Sequence, residues 1–363
     1  MRSVRGLIAG IAATVISSSF AFAQVPQGYP ADYQKLIDAA KKEGKVVIYS
    51  TTDAKVAAPI IKDFQSMFPG VTVEFNDMNS TELYNRYVSE QAAGAASGDV
   101  VWSSIVDATF QLGKDYGVAY KSPEVEHLPK AAVWKDTVWG MTYEPVALIY
   151  NKRLLKPEEV PHTHAALAQL VSGQADRFRN KVTTYDIEAS GFGFMLAAQD
   201  VQANPGYFDY LKSVAKGGLV LQSTTGTMME RVSSGENLLG FNILGSYAET
   251  RAKTDPSIGV VYTSDYTLVL PRVMFVSKSS PHRHAAELWV DYLLSRRGQT
   301  VVGKEADLPP IRDDIELNTG RAALAKQFGD ALKLIPLNES LLTYLDQDKR
   351  LEFVAKWKAA IGG

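Results

Sequence analysis

The sequence predicts a doubly wound α/β fold, because short apolar strands alternate with single helices along the chain. Residues 46–49 form a buried-type strand, and apolar residues at helical spacing follow it until Pro69-Gly70. A second strand is predicted at 71–75, then a helix at 81–93 and a short strand at 99–102. Strands separated by one helix favour parallel pairing, since a parallel crossover needs a dozen or more residues.

The same alternation continues through the rest of the chain. Further β segments are predicted at 139–150, 181–184, 219–222, 239–243, 258–262 and 268–276, with helices between them and at 281–294. Residues 307–363 read as a loop and then helix. No repeat and no low-complexity block interrupts the pattern.

The composition excludes several classes of function. The chain has 363 residues, 38 basic and 40 acidic side chains and no cysteine. This charge balance argues against a nucleic-acid binder, which needs a basic surface. The lack of cysteine excludes disulfides, thiolate metal sites and a cysteine nucleophile.

The N-terminus predicts a secretory signal peptide over residues 1–23. Arg2 and Arg5 precede a short apolar stretch, which ends at the cleavage pattern Ala21-Phe22-Ala23. No later apolar run approaches the length of a membrane span, so we expect no membrane insertion after cleavage. The mature chain is therefore expected in the periplasm without a lipid anchor.

Polar clusters follow the predicted strands at the joints where helices begin. They are Ser50-Thr51-Thr52-Asp53, Ser103-Ser104, Thr183-Thr184-Tyr185-Asp186, Ser190-Gly191, Thr224-Thr225-Gly226-Thr227 and Gly245-Ser246-Tyr247. Any one cluster is equally well explained as a helix N-cap. Ligands of open parallel sheets bind where strands end, so the clusters together predict a cleft lined by hydroxyls and backbone N–H groups.

Several segments carry a resemblance to a known family. They are residues 46–53, 99–104, 146–155, 239–248 and 285–300, with Leu308-Pro309-Pro310-Ile311-Arg312-Asp313 in the tail. In order and spacing the chain resembles the periplasmic solute-binding proteins of ABC importers, in the branch that contains ferric-ion, organophosphate and phosphonate binders. The resemblance covers essentially the whole mature chain.

The resemblance implies a monomeric two-lobed clamp of the type II-like architecture, each lobe a mostly parallel sheet flanked by helices. Lobe 1 would comprise residues 24–140 plus 270–300 and lobe 2 residues 141–269, with hinge crossings near 141–149 and 263–270. A helical tail, 301–363, would pack on the lobes. Such a protein binds solute by hinge closure, presents it to an inner-membrane permease, and needs neither a cofactor nor catalysis.

For the ferric-ion binders of this branch, the resemblance implies a metal site built from a His, a carboxylate and two adjacent tyrosines. Here Ser50 to Asp53 contain no His, Ser103-Ser104 contain no Glu, and Gly245-Ser246 stand at the paired-tyrosine position. Asp53, Asp186 and Tyr247 remain as an alternative ferric site. Uncharged donors instead suit an oxyanion, so we expect a phosphate ester, a phosphonate or a carboxylate.

Arg272 is the strongest single candidate for the anion, since its guanidinium fork matches carboxylate and phosphate. The alternative for Arg272 is a structural ion pair with a carboxylate of one lobe. Glu144, on the first crossing strand, is a candidate to bind a solute hydroxyl or amine, and the alternative for it is a hinge hydrogen bond. Ser103 and Ser246 are expected to face each other across the closed cleft. The predicted ligand-binding residues are Ser50, Thr51, Thr52, Ser103, Ser104, Ser190, Gly191, Thr225, Ser246, Tyr247 and Arg272.

Enzyme and metal functions have weaker support. The segment 189–193 lacks the first glycine of a G-x-S-x-G elbow, and no phosphate-binding loop or zinc motif occurs. The two H-x-H pairs, at His162/His164 and His282/His284, lack a third ligand, so no metal is predicted. A periplasmic ligand sensor that reports to a receptor would use the same clamp and stays open.

Overall fold

The computed structural model describes residues 28–362 together with Val25. The predicted signal peptide lies outside the described residues. Among the residues that are described, no helix combines the length and apolar character that crossing a membrane requires.

The described strands form two separate hydrogen-bonded sheets. Their bounds are β1 (Lys45–Ser50), β2 (Thr72–Asp77), β3 (Val100–Ser103), β4 (Val133–Trp134), β5 (Val138–Gly140), β6 (Glu144–Asn151), β7 (Val182–Tyr185), β8 (Leu219–Gln222), β9 (Leu239–Leu244), β10 (Ile258–Val261), β11 (Thr267–Leu270), β12 (Val273–Val276) and β13 (Leu332–Leu334). The first sheet has the order β2-β1-β3-β12-β5-β4. The second has the order β13-β11-β6-β9-β7-β8, with β10 paired to β6.

Helices flank both sheets and complete two lobes, which we call the first and second lobe after their sheets. The helices are α1 (Gln34–Glu43), α2 (Ala54–Met67), α3 (Ser80–Ala92), α4 (Val106–Tyr116), α5 (His164–Gly173), α6 (Gly191–Ala203), α7 (Tyr207–Val214), α8 (Thr225–Ser234), α9 (Gly245–Thr254), α10 (Arg283–Leu294), α11 (Arg296–Lys304), α12 (Arg321–Phe328) and α13 (Gln347–Ile361). The predicted two-lobed α/β class is confirmed.

Each sheet contains a group of three parallel strands beside antiparallel neighbours. In the first sheet β2, β1 and β3 run parallel, and in the second β8, β7 and β9 do. The strands next to the crossings between lobes, β12, β6 and β11, pair antiparallel with their neighbours, apart from the parallel pair β11–β13. The sheets are therefore mixed rather than mostly parallel.

The two long β segments predicted at 139–150 and 268–276 are each broken where the chain changes sheets. Residues 141–143 carry it from β5 to β6, and residues 271–272 carry it back from β11 to β12. The two crossings lie side by side, since Met141 N donates to Arg272 O at 2.8 Å. Alternation of apolar residues cannot show such a break, because both halves of each segment are buried strands.

The C-terminal segment connects the lobes a third time. After α12 the chain forms β13, which runs parallel to β11 at the edge of the second sheet. Helix α13 then packs on the second lobe, where Phe353 and Trp357 are buried. The helical tail expected from the sequence therefore includes a strand, and three residues are too few for a strand period to be recognised.

A buried carboxyl group lies in the first lobe, away from the space between the lobes. Asp291, on α10, accepts hydrogen bonds at Oδ2 from the hydroxyls of Tyr33 (2.7 Å) and Tyr120 (2.6 Å). Its Oδ1 has no hydrogen-bond partner among the described residues. Burial raises the pKa of this carboxyl to about 7.

Asp291→Asn is expected to change how stability depends on pH. The folded-state pKa of Asp291 is about 7, well above the unfolded value of about 3.9. Ionisation of this buried carboxyl as the pH rises therefore lowers the stability of the fold. As the pH rises from about 4 to 7, the wild type therefore loses free energy of unfolding relative to Asp291→Asn, by about 1.4 kcal/mol for each unit of pKa difference.

Urea unfolding of both proteins at pH 5 and pH 8 tests this expectation. All other carboxylates are common to the two proteins, so their contributions cancel in the difference. A difference in free energy that is equal at the two pH values would contradict the assignment.

Candidate functional site

A cavity of about 490 Å³ lies between the two lobes, at the carboxyl ends of the parallel strands. The segments after β1, β2 and β3 form one wall and those after β7, β8 and β9 form the other. Arg272, at the second crossing, also lines it. Parallel strands end at a common edge, so each group of three brings its loops to one side, and the two sides face each other.

Six helices begin at this cavity. The residue that caps the N-terminus of each lines the cavity wall: Asp53 for α2, Asn79 for α3, Ile105 for α4, Ser190 for α6, Thr224 for α8 and Leu244 for α9. The first N–H groups of a helix have no partner within it, and the helix dipole places partial positive charge at this end. Backbone N–H groups at the starts of six helices therefore lie around the cavity.

Several of these caps use their own side chains as acceptors. Ser190 Oγ accepts from Gly193 N at 3.1 Å and Thr224 Oγ1 from Thr227 N at 3.2 Å. A hydroxyl that accepts in this way still has its hydrogen to donate. Capping and solute binding are therefore compatible at Ser190, whereas the Thr224 hydroxyl also shares a hydrogen bond with the Thr227 hydroxyl at 2.9 Å.

Hydroxyls also connect the ends of β1 and β3. Thr51 Oγ1 accepts from Ser104 N at 2.9 Å and lies 3.1 Å from Ser104 Oγ. Both residues line the cavity, and so do four other residues named from the sequence, Ser190, Thr225, Tyr247 and Arg272.

Four of the predicted residues do not line the cavity, because their side chains turn into the protein. Ser50 Oγ accepts from Thr52 N at 3.0 Å, Thr52 Oγ1 accepts from Arg272, and Ser103 Oγ accepts from Ile105 N at 3.1 Å. Ser246 Oγ donates to Glu144. All four are buried, so Ser103 and Ser246 do not face each other across the cleft in this conformation.

Two other residues named from the sequence lie beside the cavity. Gly191 lines an adjoining groove bounded by α3, α4 and the C-terminal segment. Asp186 caps a turn, where its Oδ1 accepts from Glu188 N and Ala189 N, and it does not line the cavity.

Arg272 and Glu144 form a fully buried ion pair at the crossings. Arg272 Nε donates to Glu144 Oε1 at 2.7 Å and Nη2 donates to Oε2 at 3.2 Å. Arg272 Nη1 reaches Thr52 in the first lobe at 2.9 Å, and Ser246 of the second lobe donates to Glu144. Arg272 therefore forms a structural ion pair, and Glu144 makes hydrogen bonds at the crossings.

Two tyrosines on the second-lobe wall are held in the phenol form. Burial raises the pKa of both Tyr185 and Tyr247, although Arg272 opposes the shift at Tyr247. Tyr185 shares a hydrogen bond with the Thr225 hydroxyl, and the Tyr247 ring centre lies 5.4 Å from the guanidinium carbon of Arg272. Neutral phenols are hydrogen-bond partners rather than anionic ligands.

Two polar residues of the first-lobe wall, Asp77 and Asn79, were not among those predicted from the sequence. Both lie at or just after the end of β2, so the rule applied to the other strand ends would have found them. Asp77 and Asp53 are the acidic side chains that line the cavity within the described chain. Burial and the charge of Asp77 raise the pKa of Asp53, and Arg272 opposes the shift.

The described residues hold no group of three or more His, Cys, Asp or Glu side chains that could bind a metal ion. Three of the histidines of the H-x-H pairs instead contact carboxylates: His164 contacts Asp265, His282 contacts Asp99 and His284 contacts Glu43.

Two lobes around a polar cavity at the strand ends define a solute-binding clamp. Comparison with known proteins agrees: the profile of the bacterial extracellular solute-binding proteins matches residues 59–328. The chain belongs to this family, whose members bind solutes for transport and are not enzymes. No curated protein sequence matches the chain.

Solved structures show the same architecture. The substrate-binding protein of an ABC transporter from Agrobacterium tumefaciens is 30% identical, with a TM-score of 0.82 over 87% of this chain and 94% of that one. Iron-bound HitA from Pseudomonas aeruginosa is 18% identical, with a TM-score of 0.69 over 87% and 99%. AfuA from Actinobacillus pleuropneumoniae, with fructose-6-phosphate bound, is 19% identical, with a TM-score of 0.67 over 88% and 99%.

Glu144→Gln is expected to destabilise the protein by about 3–5 kcal/mol, because it leaves the buried charge of Arg272 without its counter-ion. Urea unfolding measures the loss. The matched control is Glu352→Gln, which breaks the exposed pair between Glu352 and Lys356 on α13.

We expect no measurable change for the control, since water already solvates both charges. Equal effects of the two substitutions would show that the buried pair does not hold the crossings together.

Proposed function

We propose that this chain is the periplasmic binding component of an ABC importer, and that it captures a small anionic solute between its lobes. The supporting observation is the convergence of six helix N-termini on one cavity. Helix N-termini bind phosphate and carboxylate groups without a formal positive charge. The solute class is an organophosphate, a phosphonate or a carboxylate, and closure of the lobes presents it to the inner-membrane permease.

Two relatives support parts of this proposal. The Agrobacterium protein is described as the substrate-binding protein of an ABC transporter, which supports a role in import. AfuA was solved with a sugar phosphate, so the same architecture holds a phosphorylated solute in that protein.

A ferric-ion carrier is the second candidate, favoured by the oxygen-bearing side chains of Asp53, Asp77, Tyr185 and Tyr247 around the cavity and by the likeness to iron-bound HitA. Fe³⁺ prefers anionic oxygen ligands. The raised pKa of both tyrosines opposes this function, because each phenol would have to lose its proton to bind the ion. A ligand sensor would use the same cavity and differ only in its protein partner.

A thermal-shift screen of the mature, ligand-stripped protein identifies the solute class. The panel holds organophosphates, phosphonates, carboxylates, sugars, polyamines and ferric citrate. A ligand present at about 100 times its Kd stabilises the folded state by about 2.7 kcal/mol. We expect shifts with phosphate, phosphonate or carboxylate compounds; a shift with ferric ion alone would overturn the proposal.

Gly226→Leu is expected to weaken binding of the compound found in this screen. Gly226 lies in the first turn of α8 on the cavity wall, and an added Cβ would meet only Thr224 Oγ1, at 3.9 Å. The backbone therefore has room for a Cβ at this position, and we expect the leucine side chain to occupy part of the cavity. Calorimetric titration should show affinity at least about tenfold weaker.

Gly173→Leu is the matched control, because Gly173 ends α5 with open space around it and does not line the cavity. Its Kd should equal that of the wild type. Wild-type affinity in Gly226→Leu would place the solute elsewhere.

A further inference from the structure

The two walls of the cavity differ in charge. On the second-lobe wall, the described lining residues include hydroxyls at Ser190, Ser223, Thr224 and Thr225 and no acidic side chain. Helices α6, α8 and α9 also begin there. On the first-lobe wall stand the carboxylates of Asp53 and Asp77. An anion is therefore favoured at the second-lobe wall and opposed by the first.

Arg272 does not cancel the two carboxylates. Its guanidinium makes a two-point ion pair with Glu144, at 2.7 and 3.2 Å, inside the protein. The charges of these two groups offset each other. The carboxylates of Asp53 and Asp77 thus keep one wall of the cavity negative, and an anionic solute alone would add to that charge.

Both aspartates keep oxygen atoms available to a solute. Asp77 Oδ2 accepts from Ala54 N, the first residue of α2, at 2.9 Å, and its other oxygen makes no hydrogen bond within the described chain. Asp53 is the cap residue of α2, yet its side chain makes no capping hydrogen bond. Neither carboxylate forms an ion pair with a described basic side chain. Arg272, which also lines the cavity, is paired with Glu144 instead.

We propose that the solute is zwitterionic, with its anionic group at the second-lobe wall and a protonated amine between Asp53 and Asp77. This inference rests on the proposed function and names its solute class more closely. A hydroxyl would bond to one carboxylate but would leave both charges in place. An ammonium group offers three donors and a positive charge, which satisfies both carboxylates at once.

Two features of the first-lobe wall support an amine there. Burial and the neighbouring charge already raise the pKa of Asp53, so a cation beside it relieves a repulsion present in the free protein. Asp77 ends β2, where it pairs in register with Ser50 of the adjacent parallel strand β1, and Asp53 lies three residues after Ser50 as the cap residue of α2. The sheet holds the Asp77 backbone in place, and the start of α2 holds that of Asp53.

The test compares matched solutes that differ only in the amine. Calorimetric titrations of the mature protein use phosphoethanolamine against ethyl phosphate, and β-alanine against propionate. We expect the amine-bearing member of at least one pair to bind about tenfold more tightly or better, as for a charged hydrogen bond. Putrescine, which has amines and no anionic group, is included as a further probe.

Two substitutions locate the amine. Asp53→Asn and Asp77→Asn should each weaken binding of the amine-bearing compound about tenfold while the amine-free compound binds as well as before or better. The amide introduced by Asp77→Asn retains an oxygen that can accept from Ala54 N, so α2 should keep this hydrogen bond. Asp32→Asn, which changes an exposed aspartate near α1, is the matched control and should alter neither affinity.

Each outcome distinguishes the inference from the function on which it rests. Equal affinities within both pairs, or a preference for the amine that survives Asp53→Asn and Asp77→Asn together, would overturn the zwitterion and leave the anion cavity standing. Binding of putrescine alone, or of neither pair, would overturn the anionic solute and the zwitterion together.

Discussion

The buried ion pair between Arg272 and Glu144 is the interaction on which the relation of the lobes depends. It joins the two crossings and reaches Thr52 in the first lobe and Ser246 in the second. Desolvating two charges is costly, and the Coulomb attraction offsets this cost only when the remaining donors and acceptors are satisfied. Here Thr142 also donates to Glu144 at 2.8 Å, so the network is extensively bonded and the lobes meet at a fixed point.

The position of the cavity follows from the strand topology around that fixed point. Three parallel strands in each lobe end towards the same space, and a helix begins after each one. The polar character of the cavity is thus a property of the backbone, because any sequence that keeps these six helices keeps their N–H groups there. Side chains then decide which solute is accepted, and the charged ones that line the cavity within the described chain are Asp53, Asp77 and Arg272.

The residues named from the strand ends separate in the structure into some that line the cavity and others that are buried beside it. At the end of β1, Thr51 lines the cavity while Ser50 and Thr52 are buried on either side of it, and after β3 Ser104 lines it while Ser103 is buried. Alternation of side chains along extended backbone explains this pattern and could have been applied in advance. The pairing of Arg272 with Glu144 could not, because the two residues are 128 positions apart and meet only after both crossings form.

The proposed hinge closure is driven only by a solute that contacts both walls. A solute bound equally well by the open and closed forms leaves their populations unchanged, however tightly it binds. The helix N-termini of the second lobe would hold an anion in either form, since they move together. The first-lobe wall contributes Asp53, Asp77 and the N-termini of α2, α3 and α4. In the proposed function, the group that the solute presents to Asp53 and Asp77 therefore determines both which solute is bound and how strongly its binding favours closure.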